Sequence, residues 1–174
     1  MKKNILRFYI FILVLFTFSQ LGNSLAFAKS TAASISLATA ATQAQAFIFP
    51  TRGYITQGYH VGHLGIDIAN KQRPAVWAAN NGTVIKIQQG CQEGNAYCGG
   101  SYGNYVVISH NNGFQTFYAH LQAVSVKVGD IVKQGQNIGT MGRTGSVRGS
   151  GAFLHLEISK NGQKMNPYLL LQLK

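Results

Sequence analysis

From Thr83 to Lys160 the chain is cut by Gly and Asn into short runs, and no stretch there holds a helical period. The runs are Thr83 to Gln88, Asn104 to His110, Phe114 to His120, Val124 to Val128, Gln136 to Met141 and Phe153 to Lys160. Residues of a strand alternate between two faces, so runs of this length and pattern predict strands rather than helices. Asn80-Asn81-Gly82 and Asn111-Asn112-Gly113 are turn signals, and the second, between His110 and Phe114, predicts a hairpin. Only the residues after Pro167 could carry a helical turn. The expected fold class is all-β, mainly antiparallel. With 174 residues, 46% apolar composition and 20 glycines, the chain can build one well-cored, loop-rich domain.

The N-terminal part reads differently. Lys2, Lys3 and Arg7 form a positive segment, Phe8 to Phe18 is almost unbroken apolar sequence, and Ala26-Phe27-Ala28 is a small-x-small cleavage pattern. Residues 1–28 are therefore expected to be an export signal, removed to leave a mature start near Lys29. Its apolar run is shorter than the roughly 20 residues of a membrane-spanning helix, so no stable span is expected after cleavage. Residues 29–46, rich in Ala, Ser, Thr and Gln, predict a low-complexity linker, and residues 47–174 the folded domain. Fifteen Lys and Arg against four Asp and Glu give a net charge of +11. Such charge favours anionic surfaces, cell-wall polymers among them. There is no basic helix and no interleaved aromatic and basic stripe, so nucleic acid is not expected as a partner.

Cys91 and Cys98 share one Gly-rich excursion, Gly90 to Gly103. An isolated local pair in an exported chain predicts a disulfide, worth about 2–2.5 kcal/mol by loop entropy. A metal or redox pair would call for C-x-x-C spacing.

Chemistry concentrates elsewhere, in His63-Leu64-Gly65-Ile66-Asp67 and Phe153-Leu154-His155-Leu156-Glu157. Two imidazoles and a carboxylate can hold zinc with one position left for water, the arrangement of catalytic zinc. Fully extended, His63 and Asp67 would lie about 13 Å apart, so the backbone must bend, and Gly62 and Gly65 permit it. Alternation puts Phe153, His155 and Glu157 on one face, with Leu154, Leu156 and Ile158 on the other. The same counting puts Thr116, Tyr118 and His120 together, opposite Phe117, Ala119 and Leu121. Histidines on the polar faces of exposed strands would satisfy the same pattern without a metal.

These segments resemble, in order, the lysostaphin-type (LytM-like) peptidoglycan metallopeptidases. The matching motifs are Thr56-Gln57-Gly58-Tyr59, His63 to Asp67, Gly82-Thr83-Val84, Gly103 to Ile108, Tyr118-Ala119-His120-Leu121, Val128-Gly129-Asp130, Leu154-His155-Leu156-Glu157 and Asn166-Pro167-Tyr168. The resemblance runs from about Phe47 to Leu170. It implies a small antiparallel β domain with its site in a groove between loops. It also implies one Zn2+ held by His63, Asp67 and His155, and a catalytic His120 that orients water or stabilises the oxyanion. The implied activity is a secreted zinc endopeptidase, working as a monomer in the cell envelope on stem or cross-bridge peptides of peptidoglycan. One position departs from the pattern. The family's usual ending is His-Leu-His-Phe-Glu, whose first histidine is catalytic, and here that position is Phe153. Phenylalanine neither accepts a proton nor donates a hydrogen bond. The other reading is thus a zinc-retaining, weakly active or inactive domain that binds peptidoglycan or regulates another wall hydrolase. His60, the spare histidine near the first motif, reads as a loop residue, and His110 as structural.

Overall fold

The computed structural model describes residues 46–149 and 151–172. The expected export signal, and all of the expected linker except Ala46, lie outside the described residues. Twelve strands are formed within them: β1 (Phe47–Ile48), β2 (Tyr54–Gln57), β3 (Ile66–Ala69), β4 (Ala75–Trp77), β5 (Gly82–Gln88) and β6 (Asn104–Ser109), then β7 (Phe114–Val124), β8 (Ile131–Val132), β9 (Asn137–Met141), β10 (Phe153–Lys160), β11 (Gln163–Met165) and β12 (Leu171–Gln172). Ten belong to one antiparallel sheet whose main path runs β2-β3-β10-β7-β6-β5-β8, with β11 on β10, and with β9 on β7 and β4. β1 and β12 form a separate parallel pair.

The alternation read in the sequence explains the central strands. Leu154, Leu156 and Ile158 of β10 are fully buried and pack in one cluster with Ile66 and Ile68 of β3 and Tyr118 of β7. Asn111-Asn112-Gly113 turns β6 into β7 as expected, with Asn112 at φ 58° and Gly113 at φ 75°. Pro167–Leu169 is a single 3-10 turn, started by Asn166, whose side chain accepts from the Tyr168 N–H. One expected strand is not there: Val124 ends β7, and Lys127 to Asp130 instead form a turn held by the Lys127 N–H on Asp130 Oδ2 at 2.8 Å.

Burial of Tyr118 sets the centre of β7. Its hydroxyl accepts from the Ala79 N–H and is paired with Thr116 Oγ1, each at 2.9 Å, and burial pushes its pKa up to about 12. Thr116 Oγ1 lies 2.7 Å from His110 Nε2, and His110 Nδ1 donates to the Asn81 carbonyl at 2.7 Å. His110 therefore ties the β6–β7 hairpin to the loop before β5, a structural role. Tyr118→Phe would leave the Ala79 N–H unpaired in the core, so chemical denaturation should show a loss of about 1–3 kcal/mol.

Candidate metal centre

The core residues of β3 and β10 decide where the polar ones go. Leu154 pairs with Ile68 and Leu156 with Ile66, all facing the core. Asp67 and His155, paired between them, therefore face outward together. His63 arrives from the loop before β3. There the His60 N–H donates to the His63 carbonyl at 3.0 Å and the His63 N–H returns to His60 at 2.9 Å. Gly62, at φ 88°, makes the bend that the sequence requires. Gly65 serves a different purpose from the one expected. Its φ is not positive, and a Cβ there would lie 2.6 Å from the Leu156 carbonyl oxygen and 2.8 Å from His155 Cε1. It lets the loop close onto β10.

Three potential ligand atoms converge as a result. His155 Nδ1 lies 2.8 Å from Asp67 Oδ1, and His63 Nε2 lies 3.2 Å from each of them. Ligands about 2.0–2.1 Å from a tetrahedral zinc stand roughly 3.3 Å apart, so the triangle has the size such an ion requires. The other nitrogen of each imidazole is already committed. His63 Nδ1 donates to the Gly58 carbonyl at 2.8 Å, and His155 Nε2 donates to Glu157 Oε1 at 3.2 Å. Glu157 is in turn paired with the Lys164 ammonium. The facing atoms are left as lone pairs beside a carboxylate, and a cation or a proton must sit among them. Burial disfavours charge on His155, but the Asp67 and Glu157 carboxylates outweigh it and hold the imidazole at about 9.

His120 reaches the same site by breaking the strand's alternation. Phe117 pairs with Glu157 and Ala119 with His155, so Phe117 and Ala119 share the face of the site while Thr116 and Tyr118 face the core. The expectation that His120 stays with Thr116 and Tyr118 is corrected by its backbone. His120 is at φ 61°, where β7 loses register with β6 between Asn104 and Val106. A left-handed residue inside a strand is a bulge device that re-aims its side chain, at a cost of about 1–2 kcal/mol. The ring then stands 4.8 Å from Phe153 and 6.1 Å from His155, centroid to centroid. Its Nδ1 lies 2.8 Å from the Thr144 carbonyl, which can only accept, so the proton is on Nδ1 and Nε2 is an acceptor. Burial lowers the His120 pKa, nearby His155 adds to this, and the bond to Thr144 opposes it. In its neutral form this imidazole presents a bare Nε2 that can accept a proton.

These residues line a groove of about 1280 Å³ that also takes in Tyr54, Tyr102, Arg148, Phe153 and Lys164. Phe153 lies beside His120, where alternation put it. His60 stays on the loop, its ring occupied by the Val61 carbonyl at 2.8 Å and Gln57 Nε2 at 3.3 Å. Cys91 and Cys98 are joined, and Gly100 to Tyr102, just past their loop, form part of the groove wall. The sequence assigns Glu157 no role, although its alternation with His155 places it on the same face of β10. Lys164, Thr144 and Tyr102 carried no signal, because long-range register brings them in.

The sequence model of Peptidase family M23 matches residues 61–167, more than half of the chain. Peptidoglycan DD-endopeptidase ShyC of Vibrio cholerae is 41% identical over 118 residues, 68% of this chain and 25% of that protein. Murein hydrolase activator NlpD of Escherichia coli strain K12 is 37% identical over 122 residues, 68% of this chain and 29% of that protein. The crystal structure of a zinc-containing peptidase from Vibrio cholerae superposes with a TM-score of 0.57 at 31% identity, covering 70% of this chain and 39% of that one. The chain thus spans between a quarter and a third of the length of these two curated relatives.

Zinc entering this site must displace the proton that the carboxylates hold on His155. Zinc affinity, measured by competition with a chelator, should therefore rise about ten-fold per pH unit up to about pH 9, the His155 value, and level off above it.

Proposed function

The chain belongs to peptidase family M23, and from that premise we propose that it is an exported, zinc-dependent endopeptidase that cleaves peptide bonds of bacterial peptidoglycan in the cell envelope. The observation that carries the reading is the convergence of His63 Nε2, Asp67 Oδ1 and His155 Nδ1 within 3.2 Å, with the second nitrogen of each imidazole already bonded. The chemistry a zinc ion supplies when bound by such a set is activation of water and polarisation of a carbonyl.

The chain's own residues would do the rest. His63 would hold from the loop side, and Asp67 and His155 from the sheet. Glu157 keeps the His155 lone pair turned toward Asp67. His120 takes a proton from the attacking water at Nε2 and hands it to the leaving amine, which suits its lowered pKa. The excess of basic residues suits a carboxylate-bearing polymer.

Phe153 supports a second reading. With an apolar ring at that position, one donor to the developing oxyanion is missing, and loss of one such donor costs about 10²–10³ in rate. A zinc-holding domain that binds peptidoglycan peptides, or regulates another wall hydrolase, would keep the triad and tolerate Phe153. The similarity to a murein hydrolase activator is compatible with it.

The exported protein, purified and incubated with sacculi, separates the two. The first reading expects slow muropeptide release that chelator stops, that His120→Ala abolishes, and that Phe153→His raises by about 10²–10³-fold. No release by the unmodified protein, with release by Phe153→His, would leave the binding or regulatory reading standing.

A further inference from the structure

His120 is held in place by a part of the chain that contributes nothing to the triad. At φ 61° it sits in a conformation that a strand residue keeps only when its surroundings impose it. Its N–H donates to the Tyr102 carbonyl at 2.9 Å, and its Nδ1–H to that of Thr144 at 2.8 Å. The next carbonyl, that of Leu121, accepts from Asn104 Nδ2 at 3.0 Å and from Thr144 Oγ1 at 2.8 Å. Thr144 Oγ1 in turn accepts the Asn104 N–H at 2.9 Å.

Every one of these contacts leads to the disulfide loop. Asn104 Oδ1 accepts the Cys91 N–H at 2.8 Å, and its Nδ2 donates to the Cys91 carbonyl at 3.1 Å. At the other half-cystine, the Gly103 N–H donates to the Cys98 carbonyl at 3.0 Å. Tyr102 and Asn104 therefore stand on either side of the point where the chain, closed between Cys91 and Cys98, leaves its loop for β6. Cys91, Asn104 and Thr144 are all buried. The covalent closure limits the positions available to Tyr102 and Asn104, and those two grip the backbone on both sides of the His120 ring.

We infer that the Cys91–Cys98 loop is a positioning element for His120. Asn104 transmits the constraint, and the result is a single tautomer with the proton on Nδ1 and the acceptor lone pair on Nε2. A neutral imidazole free in water prefers the opposite tautomer, so the selection is something the fold imposes. The functional meaning rests on the proton-accepting role of His120 proposed above, but the tautomer itself is read without turnover.

Imidazole 1H–15N spectra of the full exported chain, taken where His120 is neutral, read the tautomer directly. The unmodified protein should show His120 as Nδ1–H alone. In Cys91→Ser/Cys98→Ser and in Asn104→Ala that single signature should be lost to a mixture containing Nε2–H, with zinc affinity unchanged because the triad lies on other elements. Two results would overturn the inference. One is the Nδ1–H form persisting alone in both variants. The other is zinc affinity falling together with the tautomer, which would make the network general packing rather than a hold on His120. Should the unmodified chain take up no zinc, the metal reading fails, and the tautomer comparison still decides this one.

Discussion

The antiparallel pairing of β3 with β10 is the constraint on which the rest of the site depends. Register there is specified by burial: a slip of one residue would turn Ile66, Ile68, Leu154 and Leu156 out of the core. The same register sets Asp67 opposite His155 on the outer face. The ligand geometry is thus a by-product of apolar packing, held as firmly as the core itself. His63 is added from a loop whose close approach to β10 needs a residue without a side chain at Gly65.

His120 is held by different means. Asp67 and His155 sit on regular pairing, whereas His120 sits on a break in it, a left-handed residue kept in place by hydrogen bonds to two loops. Such a position is costly in backbone energy and brings to the site a side chain that regular alternation would have turned to the opposite face of the sheet. Opposite it, Phe153 follows regular alternation and brings an apolar ring to the site. Under the function proposed above, the site would pair an oriented proton acceptor with a position that lacks a donor, a combination compatible with either proposed reading.

The central fold was legible because its strands carry a clean period of two: Leu154, Leu156 and Ile158 against Phe153, His155 and Glu157. The turn at Asn111 to Gly113 was legible for a similar reason, since Asn and Gly tolerate positive φ. Val124 to Val128 misled because β-branched residues fit a half-buried surface whether or not a partner strand is present. His120 misled more instructively. Nothing local marks a histidine as left-handed, and the bonds that hold it come from Tyr102 and Thr144, eighteen and twenty-four residues away in the chain. The motif order shared with a known family brought His63, Asp67, His120 and His155 together in the reading, where spacing alone left exposed strand histidines as an equal account. The support behind them, Glu157 with Lys164 and Thr144 with Asn104, depends on tertiary register and was out of reach.

The central claim is that His63, Asp67 and His155 form a metal centre. Its most direct test is the metal content of the protein as purified, by mass spectrometry of the elements, beside a His155→Ala variant that leaves the apolar rows intact. The account predicts one zinc per chain in the unmodified protein and almost none in the variant. A folded, unmodified protein that holds no metal even after exposure to zinc, or a variant that holds as much as its parent, would contradict it.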